Sequence, residues 1–152
     1  MKFAEIAAIG RFVLGPVTLN DRELVEFAAR YDDQWFHTDP VRAADGPFGG
    51  LIASGWHTCA LAMRLVSREL LSGSESFASP GLAYLRWPHP VRPGDQLMLD
   101  VQVREARRSA SRPELGIVRW QWTMRNQEEK TVLELEATSM FNLGRHVGEE
   151  AD

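Results

Sequence analysis

The sequence predicts an α+β domain in which one antiparallel sheet of about five strands wraps around a long buried helix. Two observations carry this. Three segments in the second half alternate apolar and polar residues with period two, the mark of antiparallel strands with one buried face. One segment in the first half, from Trp56 to Val66, is apolar nearly all round, as a helix buried on most sides would be.

Taken in chain order, "RFVL" near residue 11 is a possible first strand. "NDRELVEFAARY" is a helix with Asn20 as N-cap and Glu23 three residues on, a capping-box arrangement, and Leu24, Phe27 and Ala28 share one face. It delivers the chain to Tyr31 and a loop. Asp39-Pro40 suits a cap followed by proline at the first helical position, predicting a short turn to Ala44. "GPFGG" at 46–50 is a loop that permits close backbone approach. The long helix follows in "SGWHTCALAMRLVSRELL", and "LSGSESFASPG" at 71–81 reads as a loop. "GLAYLRW", from Gly81, is a strand. "LMLDVQVR" places Leu97, Leu99, Val101 and Val103 on one face; "IVRWQWTMR" does so with Val118, Trp120, Trp122 and Met124. "VLELEATSMF" alternates in the same way, joined to its predecessor by a hairpin at "NQEEK". Trp120 and Trp122 are most simply core or dimer packing. From Gly144 the chain is a polar tail.

Composition narrows the function. At 152 residues the chain is the size of one domain, read as 1–152, and buries roughly 70% of its unfolded surface without staples. A net charge of −4 gives no electrostatic case for a nucleic-acid partner. The single cysteine, Cys59, suits a reducing compartment, and "MKFAEIAAIGRF" does not read as a secretion signal, so a cytoplasmic location is expected. Polar residues interrupt the longest apolar run, so no membrane span is expected. The histidines at 37, 57, 89 and 146 show no paired metal spacing, and one cysteine makes no zinc cluster. Neither a Gly-x-Ser-x-Gly elbow nor a phosphate-binding glycine loop is present.

The stretch "YDDQWFHTDP" at 31–40 is the candidate site. It sets Asp32, Asp33, Asp39 and His37 beside Trp35 and Phe36. The motif Asp32-Asp33-Gln34-Trp35-Phe36-His37, then Thr38-Asp39-Pro40, resembles the MaoC-like dehydratase and (R)-specific enoyl-CoA hydratase family. That family's pattern is Asp-x-Asn-Pro-aliphatic-His. "FGGLIASGWHT" is similar to the family's glycine-rich turn into its central helix, with Gly55 where the oxyanion-hole glycine is expected. "WPHPVRPGDQL" is similar to its Pro-Val-x-x-Gly-Asp turn. The resemblance implies the hotdog fold, catalysis by Asp32 and His37 with Gly55, and a substrate pocket involving Gln34, Trp35, Phe36 and Ser54. Gln34 and Trp35 stand where the family has asparagine and proline, and Phe36 where it has an aliphatic residue, which implies a reshaped acyl pocket.

The implied reaction is hydration of a 2-enoyl thioester, or its reverse. Water must lose a proton as it attacks C3, and C2 must gain one; an aspartate and a histidine sharing one water provide both. A backbone N–H at the start of the helix would hold the enolate-like charge. The resemblance implies no metal or redox cofactor, with coenzyme A or an acyl carrier protein present only as the carrier of the substrate. It also implies a homodimer or a dimer of dimers. Two other functions fit the same motif: a thioesterase, and a non-catalytic acyl-CoA-binding or regulatory module. The bland reading of Asp32 and His37 is a helix end and a satisfied loop residue. His57 reads as a polar position that bonds a backbone carbonyl, and Arg86 and Arg92 as solvated surface or coenzyme A phosphate contacts.

Overall fold

The computed structural model describes residues 1–144; beyond Gly144 the polar tail lies outside the described residues. The chain runs α1 (Phe3–Ile9), β1 (Arg11–Thr18), α2 (Asp21–Tyr31), α3 (Trp35–Thr38), α4 (Pro40–Ala44) and α5 (Gly55–Val66), the last continuing as a π turn over Ser67–Leu71. Four strands follow: β2 (Ser76–Arg86), β3 (Gln96–Arg108), β4 (Leu115–Arg125) and β5 (Thr131–Asn142). They join β1 in one antiparallel sheet of order β1-β3-β4-β5-β2.

The alternation read from the sequence sets the register. Val101 pairs with Trp122, Trp122 with Leu135, and Trp120 with Ala137. All lie on the face that forms one core with Leu61, Ala62 and Val66 of α5. Helix starts follow their caps: the Glu23 N–H donates to Asn20 Oδ1 at 2.9 Å, and the Arg42 N–H to Asp39 Oδ1 at 3.0 Å, with Pro40 opening α4.

Four expectations change. No element is expected in "MKFAEIAAIG", yet α1 forms there and sends Ile6 fully into the core; it is too short to show a period. The 35–38 stretch, read as loop, is one helical turn. β2 begins at Ser76, not Gly81. It is exposed along nearly its whole length, so it has no alternation to read, and Pro80 within it fits the end of a sheet. Finally, α5 is not buried on most sides. His57, Thr58, Leu61, Ala62 and Val66 face the core, while Trp56 and Met63 are exposed. A single sheet covers only one face of a helix. No helix among the described residues is long and apolar enough to cross a membrane.

Candidate active site

Three segments far apart in sequence are tied together around residues 51–54. The Ile52 N–H donates to Phe36 O at 3.2 Å, and the Ala53 N–H to Val91 O at 2.8 Å. The turn that supplies Val91 is itself fixed. Asp95 accepts from the Arg92 N–H at 2.9 Å and from Gln127 Nε2 at 3.0 Å. Gly94, at φ +85°, occupies the left-handed conformation that favours glycine.

This lattice brings Asp32, His37, Ser54 and Gly55 together. Asp32 ends α2, and its carboxylate is held at both oxygens. Ser54 Oγ donates to Oδ2 at 2.7 Å, and Gln34 Nε2 to Oδ1 at 2.6 Å. Burial pushes the Asp32 carboxyl up, but the hydrogen bonds from Ser54 and Gln34 and the charge of His37 outweigh it, leaving the group below the usual carboxylate range. His37 is buried, with Nε2 at 3.3 Å from Asp32 Oδ2. Its Nδ1 lies 2.6 Å from Ile52 O. A carbonyl only accepts, so Nδ1 carries a proton. In the neutral ring Nε2 then presents a lone pair toward a carboxylate. Two acceptors are satisfied together by one water donating to both, or by a proton placed between them. Either state is one step of acid–base transfer.

Ser54 also decides what α5 offers. Its hydroxyl is spent on Asp32 and makes no cap bond, so the helix opens without a side-chain cap. The first N–H groups of a helix have no acceptor within it, and the positive end of the dipole lies there. Gly55 is the first residue of α5. With His37 and Thr58 it lines a cavity of about 250 Å³, together with Phe48, Trp87 and Val132.

Trp35 and Phe36 do not line that cavity. Trp35 packs on Gly46, with the Arg42 guanidinium 4.7 Å from its ring centroid, and Phe36 meets the His37 ring edge-on at 4.3 Å. The wall is built instead from residues that the sequence reading left out, chiefly Phe48, Trp87 and His89. The signal was present, since Trp87 and His89 open the "WPHPVRPGDQL" turn. His57 departs from its expected role: its buried Nδ1 has no hydrogen-bond partner among the described residues, and the ring stacks on Phe27 at 4.3 Å. Burial pushes its pKa down, against the charge of Glu23 and with that of Arg64. Arg86 lies over the Tyr84 ring, 3.9 Å from Glu134 and well exposed.

The role of Ser54 is testable. Ser54→Ala removes a donor that holds Asp32 ionised, so the Asp32 pKa rises. The acid limb of the kcat/KM profile should move to higher pH, while the alkaline limb stays in place. A profile unmoved at its acid end would mean that Asp32 does not set it.

Comparison with known proteins agrees with this geometry. Residues 6–123 match the family model of the MaoC like domain. The uncharacterized protein YdeM of Bacillus subtilis is 31% identical over 93% of this chain and 99% of its own length. The 3-hydroxyacyl-thioester dehydratase Z of Mycobacterium tuberculosis is 42% identical over 53% of this chain, and the match spans only 55% of that protein. Among solved structures, the MaoC-like dehydratase of Rhodospirillum rubrum superposes with a TM-score of 0.80 at 34% identity, covering 90% of this chain and 93% of that one. The (R)-hydratase of A. caviae does so with a TM-score of 0.67 at 25% identity, covering 85% and 90%. The chain therefore belongs to the MaoC-like domain family, a family of hydratases and dehydratases with the hotdog fold.

Proposed function

We propose that this chain is a hydro-lyase that interconverts 2-enoyl and 3-hydroxyacyl thioesters carried on coenzyme A or an acyl carrier protein. The observation that carries the reading is the Asp32–His37 pair, 3.3 Å apart, with Nδ1 of the histidine committed to Ile52 O and Nε2 left to the reacting water. The name of the Mycobacterium tuberculosis 3-hydroxyacyl-thioester dehydratase supports the thioester class, and that of the A. caviae (R)-hydratase supports hydration chemistry. In the hydration direction, the water oxygen bonds to C3 as the pair takes one of its protons, and the pair returns a proton to C2. The Gly55 N–H, at the positive end of α5, holds the charge that develops on the thioester oxygen. This chemistry calls on no metal or redox cofactor; coenzyme A enters as part of the substrate. The test is loss of the enoyl absorbance when the protein is mixed with a chain-length series of 2-enoyl-CoA thioesters. No turnover with any of them would reject the reading.

The working unit is proposed to be a homodimer or a dimer of dimers, in a reducing, cytoplasmic setting. β2 closes one end of the sheet, and Phe77 on it is exposed. An open strand edge bordered by apolar side chains is a place for a second copy to pair. Sedimentation at micromolar concentration should show a dimer or tetramer, and a monomer alone would count against the assembly.

A further inference from the structure

The first turn of α5 is a wall between two cavities. Gly55 and Thr58 face the cavity that holds His37. Trp56, Cys59 and Met63 face another, of about 280 Å³, half-open, walled on its far side by Leu82, Leu85 and Leu135 of β2 and β5 and almost wholly apolar. Two indoles complete the partition. Trp87 lies flat over Gly55: a β-carbon there would come within 2.7 Å of its Cδ2 and 2.8 Å of its Cζ2. Trp56 meets Trp87 edge-on, with ring centroids 5.3 Å apart. The Trp87 indole also reaches Cys59, where it acts against the burial that pushes the thiol pKa up. Trp87 is also 41% exposed, so it is not locked into the core.

We propose that Trp87 is a specificity-determining residue for acyl length. In place, it confines the acyl group to the cavity beside His37, whose roughly 250 Å³ falls below the range of about 300–1,000 Å³ typical of small-molecule pockets. Swung away, it joins that cavity to the apolar one behind Trp56, which takes the distal carbons of a longer chain. The occupant is an acyl chain because the apolar cavity starts one residue from Gly55, where the thioester carbonyl is placed. For a thioester held there, the apolar cavity is the adjoining apolar space along α5. This rests on the thioester reading above.

The experiment uses saturated thioesters, which bind but cannot be hydrated. Butyryl-CoA and decanoyl-CoA are titrated by calorimetry into the parent protein, Trp87→Phe and Trp87→Ala. The expected result is a decanoyl-to-butyryl affinity ratio that rises at least tenfold in Trp87→Ala and by less in Trp87→Phe. Cys59 is the single cysteine of the chain and lines the apolar cavity, so its labelling by a maleimide reports occupancy. Decanoyl-CoA should slow that labelling in Trp87→Ala, and butyryl-CoA should not. If both thioesters bind but their ratio is the same in all three proteins, the partition is wrong and the thioester reading stands. Decanoyl-CoA that binds Trp87→Ala without protecting Cys59 also overturns the partition, and would leave the apolar cavity to a second copy of the chain. If neither thioester binds any variant, both readings fail together.

Discussion

Asp32→Asn and His37→Ala are each expected to lower hydration turnover by about 10²–10⁴, the usual reach of general acid–base catalysis. The double variant should be little worse than either single, because the two groups act on one water as a unit. The structure sharpens the reason. Asparagine at 32 keeps an oxygen for Ser54 but loses the charge facing His37 Nε2, while alanine at 37 removes the lone pair that the Ile52 carbonyl fixes in place. Asp33→Asn is the internal control: Asp33 is exposed, and no hydrogen bond or ion pair ties it to the pair. His37 is buried in a helical turn and holds Ile52 O, so circular dichroism and urea unfolding are run on every variant to separate lost chemistry from lost fold. Turnover and thioester affinity are measured on the same proteins. A binding module would show no turnover in the parent and a change only in affinity for Asp32→Asn. Full activity in Asp32→Asn would remove the acid–base assignment.

Trp120→Ala should cost about 3–5 kcal/mol of stability, the range for truncating a large buried aromatic. Trp120 is completely buried, donates from Nε1 to Ser139 Oγ at 3.2 Å, and sits edge-on to Trp122 at 5.9 Å. Its removal leaves a cavity under α5 and strands a buried hydroxyl. That is a large share of the roughly 5–15 kcal/mol that holds a typical domain together. Trp122 gives the contrast. Its buried Nε1 has no partner among the described residues, so Trp122→Phe deletes an unpaired donor and should cost less than Trp120→Phe. Urea unfolding measures both, and a loss below about 1 kcal/mol for Trp120→Ala would contradict its place in the core.

The three alternating segments carried most of the fold. Period two states which side of a strand is buried, and β3, β4 and β5 bury the residues it named, Val103 only partly. Local hydrogen bonding made the starts of α2 and α4 readable, because Asn20 and Asp39 cap within three residues of themselves. The start of β2 escaped for the complementary reason: "GLAYLRW" marked its second half, but Ser76–Pro80 is mostly exposed at the end of the sheet and carries no alternation to read.

By itself the sequence determined the sheet and its buried face, the helix that the sheet packs on, and an aspartate and a histidine whose spacing, together with the glycine block before α5, names the family. Tertiary structure alone decided what surrounds that pair. Ser54 reaches Asp32 across 22 residues, Ile52 O orients His37 across 15, and Trp87 rather than Trp35 forms the wall over Gly55. Periodicity and motif spacing record the side of its own element on which a residue sits. The neighbour across a gap is set by strand register and by the path of loops such as 46–54 and 87–95, and no residue encodes those alone. The helix α5 shows the difference most plainly. Its apolar circumference said that it would be covered, but the single sheet covers one face and leaves Trp56 and Met63 exposed on another.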